Sequence, residues 1–196
     1  MRPPLAVLLL VFSVIGPALA QDVVEPKTGT KFPVKEGDTS LLGVGLRTKT
    51  FLKVKVYAIG LYVADPALAG PLKGKAGAPA LYHELVNGNF EKKVVLKFVR
   101  DVSTDQIRDG FRDSLKEAGS NAEPWISYFD GRRSGQEIVI AWRPGVGLET
   151  KVAGSDKPAI DDKTLASAVF AIWLGDKPVQ EDLKRDLTAR AAQLTK

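Results

Sequence analysis

One arginine stands out for the chemistry that its surroundings allow. Arg47 closes a glycine-rich apolar segment, residues 41–46, with the sequence Leu-Leu-Gly-Val-Gly-Leu. A guanidinium in such surroundings must reach water or find an acidic partner, because an unpaired buried charge is very unfavourable. If Arg47 faces a cavity, its rigid fork of donors suits a carboxylate or a phenolate. The alternative is a surface arginine at the end of a strand.

Tyr57 is the second candidate, and it lies midway along residues 51–63, the strongest strand pattern in the chain. Its hydroxyl could serve as a second donor beside Arg47. On one straight strand the two residues would be about 33 Å apart, so their cooperation requires the chain to bend near residues 48–50. The alternative is a core tyrosine whose hydroxyl is bonded to the backbone.

The composition removes much of the chemistry that other side chains could perform. The chain has no Cys and one His, which excludes disulfide scaffolds, thiol nucleophiles, Cys-ligated metals and multi-histidine sites. His83 lies next to Glu84 but has no second ligand at helical spacing, so a surface or otherwise satisfied histidine is favoured over a haem or metal ligand. We therefore expect no metal site and no cofactor.

Two short motifs of known chemistry are incomplete or absent. Gly43 and Gly45 match half of a dinucleotide-binding fingerprint, but the third glycine is missing and no helix begins there. We expect them to allow close backbone packing or a bulge. No Gly-x-Ser-x-Gly elbow is present, and no histidine lies near a serine to activate it.

The charge of the chain is mildly positive, with 28 Lys and Arg against 23 Asp and Glu and a net charge of +5. The charged residues are interspersed. Nucleic-acid binding normally needs a basic stripe with stacking aromatic residues, and the sequence has none, so no nucleic-acid partner is expected. The positive excess fits an anionic small ligand or an anionic surface equally well.

The first twenty residues have the three parts of a secretory signal peptide. Arg2 precedes an apolar run over residues 5–15, Gly16-Pro17 breaks it, and small residues precede Gln21. The run is too short to span a bilayer, and no integral membrane segment is expected elsewhere. We predict a signal peptide over residues 1–20 and a mature chain, residues 21–196, that is exported to a periplasm or secreted. An N-terminal anchor or a buried strand is the alternative.

The strand patterns indicate a sheet that could position Arg47 and Tyr57. Residues 52–56 alternate apolar and charged, and residues 57–63 are apolar on both faces, as expected for a strand in the middle of a sheet. Residues 91–99 alternate again, and residues 137–143 and 148–152 flank a Pro-Gly turn, which predicts a hairpin. Residues 21–40 are interpreted as an arm with one or two short strands, and residues 65–79 as a loop with one helical turn.

Three helices are predicted. Ser103 and Gln106 form a capping box that begins a helix ending at Gly119. Asp161 or Asp162 caps a second helix through residue 174, which is apolar around much of its circumference and therefore buried against the sheet. A third, amphipathic helix is predicted over residues 179–194. Because strands and helices do not alternate regularly, the order favours an α+β fold with an antiparallel sheet and helices on one face.

Four segments of the chain resemble the chalcone isomerase superfamily. Residues 41–47 and 53–63 resemble its core strand motif, and residues 97–106 and 171–179 resemble its later segments, especially in bacterial chalcone-isomerase-like proteins. The similarity covers residues 21 to about 187. It implies an open-faced sandwich, in which a curved antiparallel sheet carries helices on one side, and a single domain over residues 21–196.

The resemblance also implies three possible roles. True chalcone isomerases cyclise a chalcone to a flavanone without a cofactor, fatty-acid-binding members hold a carboxylate with an arginine and a tyrosine, and other members, some with proposed haem binding, are non-catalytic. Arg47 matches the shared strand arginine, and Tyr57 occupies the position of the isomerases' threonine, as in the fatty-acid-binding branch. The isomerases' helix tyrosine, lysine and asparagine fall at Ile107, Gly110 and Ser114, so all three are lost.

Together with the predicted signal peptide, these matches predict an exported, non-catalytic protein that binds a fatty acid or a similar amphipathic carboxylate or phenolic ligand. Arg47 would anchor the charge, Tyr57 would be the second donor, and Phe98, Phe111, Phe170 and Trp173 would form walls. The alternative is a cofactor-free intramolecular lyase or isomerase, with Arg47 as its catalytic residue. A third possibility is a partner-binding module with a collapsed pocket. The oligomeric state is left open.

Overall fold

The chain forms a long antiparallel sheet whose strands follow one another in chain order. The structure, a computed structural model, describes residues 21–49, 52–116 and 121–196, and the predicted signal peptide lies outside these ranges. Each strand of the sheet pairs with the next along the chain. The strands are β3 (Lys35–Glu36), β4 (Thr39–Lys49), β5 (Val54–Ala64), β6 (Lys92–Phe98), β7 (Glu137–Arg143), β8 (Gly147–Val152) and β9 (Ser155–Ile160).

Helices cover one face of this sheet. A single apolar cluster joins the side chains of that face, such as Ile59, Leu61 and Val94, to those of the helices. The helices are α1 (Asp65–Ala69), α2 (Pro79–Asn87), α3 (Thr104–Leu115), α4 (Glu123–Ile126), α5 (Lys163–Leu174), α6 (Glu181–Asp186) and α7 (Ala191–Leu194). The curved antiparallel sheet with helices on one face is the predicted α+β open-faced sandwich.

The opposite face of the sheet carries a smaller apolar cluster. Phe32 lies on a separate hairpin of β1 (Asp22–Val24) and β2 (Lys31–Pro33), and it packs with Leu41, Ala58 and Tyr62. The Tyr62 hydroxyl donates to the Pro33 carbonyl at 3.0 Å. The predicted N-terminal arm is therefore a hairpin that covers part of the second face.

The local signals in the sequence are confirmed where the structure describes them. Ser103 Oγ accepts from the Gln106 amide at 3.3 Å and Gln106 Oε1 accepts from the Ser103 amide at 3.1 Å, which completes the capping box of α3. Asp162 Oδ1 accepts from the Leu165 amide at 2.9 Å and caps α5. β5 lies between β4 and β6, as its pattern predicted, and β7 and β8 form the predicted hairpin. The predicted end of α3 at Gly119 lies outside the described residues.

Several elements differ from the predictions. The single helix predicted over residues 179–194 is wrong, because the chain turns after α6 and begins the separate helix α7. At that turn the Arg190 amide donates to the Leu42 carbonyl at 3.0 Å, so tertiary contact replaces helical hydrogen bonds. The sequence patterns also did not predict α2, the short helix α4 or the exposed edge strand β9. Pro158 lies within β9, and an edge strand tolerates a proline because one of its sides has no partner strand.

No helix among the described residues is long and apolar enough to cross a membrane.

Candidate functional site

Arg47 and Tyr57 lie directly opposite each other on neighbouring strands. The chain reverses between the end of β4 at Lys49 and the start of β5 at Val54, and the antiparallel register pairs Arg47 with Tyr57. The bend that their cooperation requires is therefore present. Both side chains point to the helix-covered face, where they line the same cavity.

An irregularity in the β4–β5 ladder adds Val56 to this site. Arg47 pairs with Tyr57, but the next residue, Thr48, pairs with Lys55, so Val56 has no partner on β4. A bulge of this kind bends a strand and redirects its side chains. Val56 and Tyr57, although adjacent in sequence, consequently both line the cavity.

The two glycines before Arg47 let a helix approach the strand closely. A β-carbon added at Gly43 would lie 2.3 Å from the carbonyl oxygen of Asp186, and one added at Gly45 would lie 2.5 Å from the Leu183 side chain. Both contacts belong to α6. The expectation that Gly43 and Gly45 serve close packing is confirmed, and their consequence is that α6 lies against β4 next to Arg47.

Gln180, the residue that precedes α6, fixes Arg47 from the helical side. Arg47 Nη1 donates to the carbonyl oxygens of Thr48 at 2.6 Å and Val179 at 3.2 Å, and to Gln180 Oε1 at 3.4 Å. Gln180 Nε2 donates to the Leu46 carbonyl at 3.1 Å, and the Thr48 amide donates to Gln180 Oε1 at 3.0 Å. These bonds hold the guanidinium in one orientation before any ligand arrives.

The Arg47 guanidinium keeps donor capacity for a ligand. Within the described ranges, Arg47 forms no ion pair with a carboxylate, and all three of its hydrogen bonds leave from Nη1. Because a guanidinium has five N–H donors, Nε and Nη2 are left for a ligand and for the neighbouring Tyr57 hydroxyl.

The Tyr57 hydroxyl is held as a neutral donor. Trp173 Nε1 donates to the Tyr57 oxygen at 3.1 Å, so the phenolic hydrogen is not used in this contact. Burial raises the pKa of Tyr57 above its usual value, and the Trp173 hydrogen bond and the positive charge of Arg47 lower it only in part. Tyr57 therefore stays protonated at neutral pH and can donate to an anionic oxygen beside Arg47.

The cavity that these two side chains enter is mostly apolar and has a volume of about 210 Å³. It lies between the sheet and the helices α3 and α5. From the sheet it is lined by Val56, Leu96 and Phe98 in addition to Tyr57. From the helical side it is lined by Ile107, Gly110, Phe111, Ser114 and Ile172.

Two further cavities adjoin the first one and share lining residues with it. A cavity of about 610 Å³ between α3 and α5 shares Asp113, Ser114, Ile172 and Val179 with it. A cavity of about 270 Å³ near the start of β5 shares Lys49, Val56, Val102 and Gln106. The three cavities therefore lie in a row, with Arg47 and Tyr57 lining the middle one, and such an arrangement suits a long, thin ligand.

The structure separates the predicted wall residues into two groups. Phe98 and Phe111 line the central cavity, and the Phe98 ring packs edge-on against Tyr57 with centroids 5.5 Å apart. Trp173 does not line this cavity but donates a hydrogen bond to the Tyr57 hydroxyl, which does. Phe170 lies in the core, where its ring centroid is 5.1 Å from the Lys92 ammonium, and it is not a wall residue.

The three helix positions that the sequence analysis singled out all face the cavity. Ile107, Gly110 and Ser114 line it together, and a β-carbon at Gly110 would meet no atom within 4 Å. At these three positions α3 therefore presents a hydrocarbon, a hydrogen atom and one hydroxyl, and this hydroxyl donates to the Gly110 carbonyl at 2.8 Å. Gln180 and Val179 were not predicted as site residues, because nothing in the local sequence pattern shows that they contact Arg47.

Within the described ranges, no group of three or more His, Asp or Glu side chains is arranged to hold a metal ion. His83 is exposed on α2, in agreement with the sequence-based expectation of a surface histidine.

Comparison with known proteins places this geometry in a family. The model of the family described as "Chalcone isomerase-like" matches residues 20–188. "Chalcone isomerase-like protein 1" of Humulus lupulus is 33% identical over 177 residues, which cover 78% of this chain and 82% of that protein. "Fatty-acid-binding protein 1" of Arabidopsis thaliana is 26% identical over 200 residues, which cover 89% of this chain and 72% of that protein.

A solved structure shows the same fold. The crystal structure of an Arabidopsis thaliana fatty-acid binding protein superposes with a TM-score of 0.75 at 23% identity, covering 89% of this chain and 99% of that one. At this identity the superposition establishes the fold, and the match of the family model to residues 20–188 establishes the relationship. The chain is a member of the chalcone isomerase-like family.

Proposed function

We propose that the protein binds a fatty acid or a similar amphipathic carboxylate in the cavity beside Arg47 and does not transform it. The observation that carries this proposal is the pairing of Arg47 and Tyr57 at an apolar cavity, with no carboxylate partner for the guanidinium among the described residues. Arg47 supplies a charge-assisted fork for the ligand carboxylate, and Tyr57 donates to its second oxygen. The hydrocarbon chain lies in the adjoining cavities.

The names of the relatives support a lipid ligand, since one similar protein and one similar structure are fatty-acid-binding proteins. The wall provided by α3 supports a non-catalytic role. Cyclisation of a chalcone needs a phenolate that is oriented and an enolate that is stabilised by fixed donors. Ile107 and Gly110 offer no such donor, so the orientation of a substrate with two rings would depend on Arg47 and Tyr57, which lie side by side at one point of the cavity.

Displacement of a fluorescent fatty acid by palmitate tests the proposal. Wild-type protein is expected to bind with saturable affinity. Arg47→Gln should weaken binding by about 10- to 100-fold, as expected for loss of a hydrogen bond to a charged group, and Tyr57→Phe by about five-fold. Arg133→Gln, which changes an exposed arginine away from the cavity, should bind like wild type.

The enzymatic alternative is tested with the same proteins. Incubation with a chalcone, followed by the absorbance of its conjugated enone, should show no decay above the uncatalysed rate. A decay that Arg47→Ala abolishes would contradict the non-catalytic role. Equal palmitate binding by wild type and Arg47→Gln would contradict the assignment of the carboxylate site.

We propose in addition that the protein acts after export. Support for this comes from the basic start, apolar run and small residues that precede Gln21. Mass spectrometry of the protein purified from its own cells should show a chain that begins at Gln21. A chain that keeps residues 1–20 would contradict export with cleavage.

A further inference from the structure

The turn that joins β4 to β5 exposes a leucine to solvent. Leu52 is 70% exposed, more than the two other exposed large apolar residues among those described, Val24 at 46% and Val146 at 42%. A single exposed leucine is common on protein surfaces. Leu52 is of interest because basic residues and a cavity lie close to it.

Three basic residues lie near Leu52, in sequence or at the start of β5. Lys49 precedes the turn, Lys53 follows Leu52, and Arg100 lies beside the start of β5, because Lys49, Val54 and Arg100 line one cavity. All three basic residues are exposed. We call Lys49, Leu52, Lys53 and Arg100 the basic tip.

The charge of the basic tip is not neutralised by ion pairs. Over the part of the chain that the structure describes, Lys49, Lys53 and Arg100 have no carboxylate within salt-bridge distance. The nearest acidic residue in sequence, Asp101, accepts instead from the Ser134 amide at 2.8 Å. The basic tip consequently presents three positive charges to an anionic partner.

The basic tip also lies at one end of the ligand space. Lys49 and Arg100 line the cavity of about 270 Å³ together with Val54, Val56, Val102 and Gln106, and this cavity adjoins the one that contains Arg47. A ligand that enters this cavity passes the side chains of Lys49 and Arg100.

We propose that the basic tip docks the protein on bilayers that contain anionic phospholipid. Leu52 enters the boundary between headgroups and acyl chains, and Lys49, Lys53 and Arg100 contact the phosphates. Apolar insertion together with basic residues is how peripheral proteins bind such surfaces. A protein partner is less suited, because one leucine is far smaller than the buried core of a stable protein interface.

Docking in this orientation brings the cavity mouth to the membrane surface. That consequence rests on the proposed binding of an amphipathic carboxylate, which could then pass between bilayer and cavity without crossing bulk water. The docking itself does not depend on that ligand, so its test uses vesicles without fatty acid.

Co-sedimentation with vesicles measures the docking. Vesicles of phosphatidylcholine with phosphatidylglycerol should bind the full chain, and added salt should weaken the binding. Vesicles of phosphatidylcholine alone should bind much less. Leu52→Ser should lower the partition coefficient about ten-fold, and Lys53→Gln about five-fold.

Matched controls lie at the opposite end of the sheet. Val146→Ser removes an exposed apolar side chain from the β7–β8 turn, and Lys73→Gln removes an exposed lysine that follows α1. Both should sediment like wild type. Leu52→Ser should also keep the palmitate affinity of wild type in solution, so docking and ligand binding are tested separately.

Three results would overturn the proposal: no binding of wild type to anionic vesicles, equal binding of wild type and both basic-tip variants, or equal losses in the control variants. A dimer that forms without lipid and disappears in Leu52→Ser, seen by sedimentation velocity, would assign the basic tip to self-association instead.

Discussion

Arg47 and Lys92 show two ways in which this protein places a cation in an apolar region. Arg47 is oriented by the Thr48 and Val179 carbonyls and by Gln180 and keeps donors for a ligand. Lys92 is only 2% exposed, and its ammonium donates to the Val86 carbonyl at 3.0 Å and the Gly88 carbonyl at 3.1 Å. These acceptors lie at the end of α2, so Lys92 is a structural residue that holds this helix to β6.

The burial of Lys92 predicts how stability depends on pH. Burial first, and then the charge of Lys163, lower the pKa of Lys92 to about 7, whereas an unfolded chain has the ordinary lysine pKa near 10.4. Between these values the unfolded state binds more protons, so the free energy of unfolding rises with pH, by at most about 1.4 kcal/mol per pH unit. Below pH 7 both states are protonated and the cost of burial is complete.

Lys92→Met removes this titration. The free energy of unfolding of Lys92→Met relative to wild type should therefore fall steadily as the pH rises from 7 to 9. Urea denaturation of both proteins at several pH values measures it. A difference between variant and wild type that stays constant over this range would show that Lys92 is not the group that titrates.

At the scale of elements, the contact between β4 and α6 connects stability to the site. Gly43→Ala would place a β-carbon 2.3 Å from the Asp186 carbonyl, a backbone atom that cannot move unless α6 moves. Overpacking of this kind should cost about 1–3 kcal/mol of stability. Because Gln180 precedes α6 and orients Arg47, palmitate affinity should fall as well. Thermal unfolding and fatty-acid displacement measure the two effects.

Gly110→Ala is the matched control for stability. Gly110 lies inside α3, and an added β-carbon meets no atom within 4 Å, so alanine should stabilise the protein by about 1 kcal/mol. A stability of Gly43→Ala that equals or exceeds that of wild type would contradict the role given to Gly43.

The β8–β9 turn offers a stabilising substitution. Val152 pairs with Ser155, which leaves Ala153 and Gly154 as a two-residue loop, and both have positive φ, 47° and 83°. Such a turn favours Asn-Gly, because asparagine tolerates the left-handed conformation better than alanine. Ala153→Asn should therefore raise the free energy of unfolding by about 0.5 kcal/mol, measured by urea denaturation.

The control for this turn is the same substitution, alanine to asparagine, at an exposed position in a helix. Ala192→Asn in α7 should lower stability instead, because asparagine is a poorer helix former than alanine. A loss of stability in Ala153→Asn would mean that strain at the turn is not relieved by asparagine.

At the scale of the whole molecule, the sequence predicted those elements that are determined by residues close together in the chain. The capping box of α3, the Pro-Gly hairpin and the apolar circumference of α5 are local signals, and each element forms where its signal lies. The end of α6 could not be predicted, because an amphipathic pattern continues through residues 187–190 while the chain is turned by the contact of Arg190 with Leu42.

The candidate site divides in the same way. Arg47 and Tyr57 were recognisable by residue type and by their apolar surroundings. Their direct pairing depends on the register of β4 and β5. The hydrogen bond from Arg47 to Gln180 joins residues that are 133 positions apart in the chain. Such contacts are properties of the packed molecule, so the sequence could nominate these residues but not show how they are held.

The whole molecule therefore combines an oriented cation, a neutral phenol and a mostly apolar cavity with a further cavity on either side. The most direct test of that combination is carbon-13 NMR of carboxyl-labelled palmitate bound to the protein during an acid titration. We expect one bound carboxyl signal that stays ionised to lower pH than in Arg47→Gln, because the guanidinium favours the charged form. A bound carboxyl that titrates identically in wild type and Arg47→Gln would contradict the carboxylate site.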